Sequence, residues 1–158
     1  MQVDQTYLTT HGLVQLQEEL EHLRVTRRHE VAARIQMAKE VGGTVDNAQY
    51  EDAKNELSYV EGRIQTLESM VQNAVLIPEH KGKGSEIIEI GSIVEVQINN
   101  GKKKTTYTIV GRTEASPETG LISNESPVGK ALLGRKAGET IDVQVPAGIQ
   151  TVRILKVR

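Results

Sequence analysis

No cysteine, phenylalanine or tryptophan occurs among the 158 residues, and tyrosine and proline number four each. The missing thiols exclude disulfides, thiolate metal sites and a cysteine nucleophile, and they suit a reducing cytosol. With aromatics at 3%, any core has to be assembled from Leu, Ile, Val and Ala, so thin cores are expected. The sequence also lacks an apolar run of about 18 residues, so no membrane span is expected. Its opening, MQVDQTYLTT, has neither the basic nor the apolar stretch of a secretory leader. A cytoplasmic protein without a membrane partner is the expectation.

A large charge imbalance is missing as well. The net charge of −2 splits into 7 Lys/Arg against 12 Asp/Glu over residues 1–78 and 12 against 9 over residues 79–158. Neither half has the basic excess of a duplex reader, which argues against tight direct binding of nucleic acid. His11, His22, His29 and His80 lie far apart, with no second ligand at metal-binding spacing, so no stably bound metal is expected.

What the chain does have is periodicity. Tyr50, Ala53, Leu57, Val60, Ile64, Leu67 and Val71 alternate steps of three and four, a heptad seam that predicts one long helix with a narrow apolar stripe. Leu13, Leu16, Leu20 and Leu23 repeat that spacing. Arg27 interrupts it, and Val31, Ile35 and Ala38 resume it one residue out of phase, which reads as a second long helix with a local stutter. Thr9 fits an N-cap for this first helix, and Asp46 with Gln49 resembles a capping box for the other. Between the helices, Gly42-Gly43 breaks helical continuity. Two narrow stripes joined by a short connection predict an antiparallel coiled-coil hairpin over residues 1–77 with its tip near 41–47, each arm roughly 45 Å long.

After a polar, Gly-containing linker at 78–86 the period changes to two. Ile93 to Ile98, Thr105 to Val110, Thr140 to Val145 and Thr151 to Val157 are candidate strands, with Asn99-Asn100-Gly101 as a tight turn between the first pair. The fold class expected is α+β, a helical hairpin followed by a β-rich domain over 87–158. Lys102-Lys103-Lys104 reads as a solvated hairpin edge that discourages edge pairing, with phosphate binding as the lesser alternative.

These residues also resemble a known family. Tyr7-Leu8-Thr9, Gly12-Leu13 and Glu18-Glu19-Leu20 look like the opening of the GreA family of bacterial elongation factors. Asn47-Ala48, Tyr50 and Ala53-Lys54 look like its hairpin tip, and Glu61-Gly62-Arg63-Ile64, Leu67-Glu68 and Asn73-Ala74 like its returning arm. Tyr107, Ile109-Val110-Gly111, Glu114-Ala115, Ile122-Ser123-Asn124-Glu125-Ser126-Pro127 and Ala131-Leu132-Leu133-Gly134 are similar to its carboxy-terminal domain.

The resemblance implies an FKBP-like second domain that docks on RNA polymerase, while the coiled coil enters the polymerase secondary channel and reaches the nascent RNA 3′ end. There the family's tip carboxylates share the Mg²⁺ of the polymerase active site, and the polymerase hydrolyses its own backtracked transcript. The factor is then an accessory protein, a monomer with no cofactor and no enzymatic activity of its own. Carried onto this chain, Asp46 is the candidate tip carboxylate, and Lys39 and Lys54 are candidate RNA phosphate contacts, with solvated helix surface open as the other reading of both lysines. Ser123, Asn124, Glu125, Ser126, Pro127 and Leu132 are candidates for polymerase docking; for Ser123, Ser126, Pro127, Leu132 and Leu133 a place in the domain core stays equally open.

The chain departs from the family's pattern at the tip. Gly43 stands where the first tip aspartate falls, and Asp46, one methylene shorter, stands where the glutamate falls; Glu40, Glu51 and Asp52 are nearby acids that compensate in one reading and complement the helix dipole in another. His29 replaces a proline in the first arm, which predicts a straighter helix. Two other functions remain open at this point. One is a channel-occupying regulator or inhibitor with little or no cleavage stimulation, and the other is a chaperone or prolyl isomerase built on the FKBP-like domain.

Overall fold

A computed structural model describes residues 4–41, 48–78 and 86–158. Two compact units emerge, one formed by Leu13–Asn73 and one by Asp4–Gly12 together with Ala74–Arg158. This division differs from the expected boundary at residue 77 in that Asp4–Gly12 and the segment from Ala74 onward both belong to the second unit. The cause is a pairing that short segments conceal. Strand β1 (Thr6–Leu8) and strand β2 (Ala74–Leu76) form a parallel pair.

In the helical unit, α1 (Thr10–His22) passes through a π-helical turn at Leu23–Arg27 into α2 (Arg28–Val41), and α3 (Ala48–Gln72) runs back along it. The amide of Arg28 donates to the carbonyl of Leu23, five residues back, so the turn holds one residue more than α-helical geometry allows. That extra residue is the physical form of the stutter. The apolar stripe slips by one position between Leu23 and Val31, and the π turn returns it to the same side. Replacing proline by His29 therefore does not leave a uniform α-helix in this arm.

Packing follows the stripes. Leu20, Val60, Ile64 and Leu67 form a buried cluster with Leu16 and Leu23 against it, and Val31, Ala38 and Ala53 are buried further along. Each fully buried branched side chain contributes about 1.5–3 kcal/mol, which lets two narrow seams hold together what neither helix could maintain alone. Arginine–glutamate pairs cross between the arms: Arg63 with Glu19 at 2.8 Å, Arg28 with Glu61 at 2.7 Å, Arg24 with Glu68, and both Arg27 and Arg34 with Glu56. The Arg63 pKa lies above the ordinary arginine value because the Glu19 carboxylate accepts its hydrogen bonds. Arg27, bonded first to Glu30 and then facing Glu56, and Arg28, bonded to Glu61, shift the same way.

The second unit is built on a five-stranded sheet in the order β5-β4-β3-β7-β6. Strands β3 (Ile93–Ile98), β4 (Lys104–Val110), β6 (Thr140–Val145) and β7 (Gly148–Val157) pair antiparallel, whereas β5 (Leu121–Ser123) runs parallel to β4. Asn99 and Asn100 take φ values of 50° and 54°, the left-handed pair that a tight hairpin turn requires. Alternation places Val94 and Val96 of β3, Val143 of β6, and Val152 and Ile154 of β7 in one core with Ile88, Ile109, Ile122 and Leu132. A short helix, α4 (Pro127–Leu132), follows β5. Among the described residues no helix is long and apolar enough to cross a membrane.

Candidate functional site

Chemistry-bearing side chains gather in two places, one in each unit. The first is the end of the hairpin, where α2 finishes and α3 begins. Lys39 sits in the last turn of α2 and Lys54 two turns into α3, and both reach one ring: the ammonium of Lys39 lies 5.9 Å and that of Lys54 5.1 Å from the centroid of Tyr50. Both distances fall within the range in which an aromatic face attracts a cation. Tyr50 begins the heptad seam, half-buried between the arms, so its ring is available to a side chain from either helix. Lys54 also meets the Glu51 carboxylate at 3.4 Å.

Acids surround the lysines. Glu40, Glu51 and Asp52 are all exposed, Glu40 accepting a hydrogen bond from Gln36 at 3.2 Å. Carboxylates of this kind are hard oxygen donors. Among the described residues no three His, Cys, Asp or Glu side chains converge as a metal site. Gly42, Gly43, Asp46 and Asn47, and with them the expected tip carboxylate, lie outside the described residues, as does His80.

The second place is the turn between β5 and α4. Ser123 ends β5, and its hydroxyl accepts the amide of Glu125 at 3.0 Å. Its carbonyl takes both the amide and the hydroxyl of Ser126, at 3.0 and 2.7 Å. The Ser126 hydroxyl in turn caps α4 by accepting the Gly129 amide at 3.1 Å, with Pro127 in the first turn where a missing N–H costs nothing. Asn124 donates its amide to Val110 on the neighbouring strand at 2.9 Å.

Serine chemistry at this turn is therefore spent on the turn itself. The candidate docking residues separate by exposure: Glu125 and Pro127 face solvent, Ser123, Asn124 and Ser126 are half-buried, and Leu132 is 0% exposed. Leu132 is a core residue and leaves the set of surface candidates, while Leu133 packs against the core only in part. The apolar pair Leu132-Leu133 had no periodicity long enough to say which of them points inward.

Two further residues matter here, and sequence reasoning gave neither a role at a site. Tyr50 was visible as the start of the seam and as part of the resemblance to the family's hairpin tip, without a role of its own. Glu114 follows β4 in a 3-10 turn at Arg112–Glu114, and its carboxylate accepts the Thr9 amide at 2.7 Å and the Thr9 hydroxyl. No local pattern could have linked positions so far apart.

Comparison with known proteins covers both units. Residues 6–76 match the family described as transcription elongation factor, N-terminal, and residues 83–158 match transcription elongation factor, GreA/GreB, C-term. The chain is 48% identical over 151 residues to transcription elongation factor GreA of Caldanaerobacter subterraneus subsp. tengcongensis, with 96% of each chain covered. It is 51% identical over 151 residues to the protein of that name from Clostridioides difficile, covering 96% of this chain and 94% of that one. The crystal structure of GreA factor homolog 1 from Thermus thermophilus matches with TM-score 0.44 and 31% identity, covering 98% and 99% of the two chains.

Proposed function

Because the chain belongs to the GreA/GreB family of transcription elongation factors, we propose that it binds RNA polymerase, enters the secondary channel with its helical hairpin, and rescues backtracked complexes by stimulating the polymerase's own transcript cleavage. In this reading the factor is an accessory protein and the hydrolysis belongs to the polymerase. The observation that supports it most directly is the pairing of Lys39 and Lys54, one from each arm, on the ring of Tyr50 at the hairpin end. Cations presented this way suit the phosphates at an RNA 3′ end, which a factor must hold before the scissile bond can be cut.

The division of labour follows from the side chains. Lys39 and Lys54 bind and orient the transcript through its phosphates. Asp46, with Glu40, Glu51 and Asp52 as neighbours in sequence, supplies carboxylate oxygen at the tip. The polymerase-held Mg²⁺ supplies Lewis-acid stabilisation of the attacking and leaving oxygens. Glu125 and Pro127, exposed at the start of α4, form the docking face of the second unit. The family match favours neither a channel-blocking inhibitor nor a prolyl isomerase.

Transcript cleavage on backtracked complexes assembled with the cognate polymerase tests the proposal. At neutral pH the wild-type chain should accelerate cleavage, and Asp46→Ala should reduce that acceleration by at least about tenfold, the loss of a carboxylate beside a dication being worth more than 1.4 kcal/mol. Binding without acceleration by the wild type would overturn the cleavage role. Acceleration that Asp46→Ala leaves intact would remove Asp46 from it.

A further inference from the structure

Tyr50 occupies the first position of the α3 seam, a position for which the heptad pattern asks only an apolar side chain. Its ring nevertheless has a cation from each arm near it. Lys54 lies one helical turn on, at i+4, on the same face of α3, whereas Lys39 comes from the last turn of the opposing helix. A lysine at a helix surface ordinarily samples many rotamers, losing up to about 2 kcal/mol of conformational entropy when one is fixed. A shared aromatic face selects, before any ligand arrives, the rotamers that bring both ammonium groups to the same ring.

The geometry points to Tyr50 as a positioning residue that gathers Lys39 and Lys54 into a single two-cation grip for adjacent phosphates of a single RNA strand. This role rests on the proposed contact of those lysines with the transcript and deepens it. The ring orients the lysines without setting a compensating negative charge beside them, as a carboxylate partner would. Glu51, 3.4 Å from Lys54, is the competitor: it holds one lysine by an exposed i,i+3 pair, a type of contact worth little in water. RNA phosphate can displace such a pair, while the ring contact survives because the aromatic face competes for no hydrogen-bond donor. Placing the anchor at the seam also ties the grip to correct pairing of the two arms, since Lys39 meets the ring only when α2 and α3 are in register.

Full-length Tyr50→Leu and Tyr50→Phe variants separate this from simple seam filling, because leucine keeps the apolar contact and phenylalanine keeps the ring. The assay reads the factor concentration giving half-maximal cleavage in backtracked complexes, and NMR reads the ring-current shift of the lysine side-chain protons. Tyr50→Leu should raise the half-maximal concentration about 3- to 10-fold and abolish the ring-current shift, as expected for loss of exposed cation–π contacts, with Tyr50→Phe retaining both. The Lys39→Ala/Lys54→Ala double variant is the control for the underlying contact. If the double variant loses activity while Tyr50→Leu loses its ring-current shift yet cleaves like wild type, the role of Tyr50 is overturned alone. If the double variant is itself unaffected, the phosphate contact falls and the proposal falls with it.

Discussion

Glu114 holds Thr9 at two points: one carboxylate oxygen accepts the Thr9 amide at 2.7 Å, and the other accepts its hydroxyl. The same hydroxyl receives the Gly12 amide at 3.0 Å and so caps α1. The capping residue is thus itself fixed from the far end of the sequence, by an anion placed where the helix dipole welcomes one. Gly12 completes the arrangement. A Cβ there would run into the Glu114 carboxylate, which would have to shift from its present place against Thr9.

Removing the carboxylate should therefore cost more than an ordinary surface change. Glu114→Ala leaves the Thr9 amide without its acceptor in a half-buried setting and should destabilise the chain by about 1–3 kcal/mol. Glu114→Gln, which keeps a carbonyl for the amide, should lose less. Urea unfolding of both variants checks this, and equal losses for Ala and Gln would refute the role of the accepted amide.

Two glycines in helices should respond in opposite directions to alanine. A Cβ on Gly129 would lie 2.0 Å from the Ser123 carbonyl oxygen, a backbone atom that cannot move without breaking the β5–α4 turn. Gly62 lies mid-helix in α3 with nothing within 4 Å of its would-be Cβ. Gly129→Ala should destabilise by more than about 2 kcal/mol through overpacking, and Gly62→Ala should stabilise by about 0.5–1 kcal/mol through helix propensity. Thermal melts of the two variants side by side would decide; a stabilised Gly129→Ala would contradict the close approach.

How much of this was legible in the sequence depended on the range of the signal. The α3 seam and strand β6 at Thr140–Val145 emerge as read because their periodicity repeats within a few residues. The slip between Leu23 and Val31 announced an irregular turn, though not that it would be a π turn. Strands β1, β2 and β5, each three residues long, were illegible: three residues carry no period, and the partners of β1 stand beyond the whole hairpin. At the site, Lys39 and Lys54 could be nominated from the resemblance, but their meeting on Tyr50 depends on the register between two helices. Glu114 figured in the resemblance alone, and nothing local tied it to Thr9.

The arginine ladder between the arms gives a salt-dependent prediction. Glu56 is shared by Arg27 and Arg34, so Glu56→Gln takes the negative charge from both and leaves one accepting oxygen where there were two. The melting temperature should drop at low ionic strength, and the gap to wild type should close as salt is added, because these pairs are partly exposed and screened. Alkaline pH should not mimic the variant. The pKa of Arg27 is raised, first by its hydrogen bond to Glu30 and then by Glu56, so its contribution is complete below the ordinary arginine value and is lost only above it. A gap that persists undiminished at high salt would show that Glu56 acts through packing instead.

Leu132 and Glu125 lie seven residues apart in the same turn-and-helix segment and should separate stability from docking. Leu132 is 0% exposed within the β-sheet core, so Leu132→Ala should destabilise by about 2–5 kcal/mol, the range for a buried leucine with a partly relaxing cavity. Glu125 is exposed, and its backbone amide rather than its carboxylate supports the turn, through the Ser123 hydroxyl. Glu125→Ala should leave urea unfolding within about 0.5 kcal/mol of wild type. If this face meets the polymerase, the same variant should weaken binding to the cognate enzyme severalfold, as truncation of an interface charge does. Urea unfolding and equilibrium binding measured on the two variants give the pattern directly: Leu132→Ala loses stability, and Glu125→Ala loses affinity alone. Unchanged affinity in Glu125→Ala would move the docking face away from the β5–α4 turn, toward surface that does not depend on Glu125.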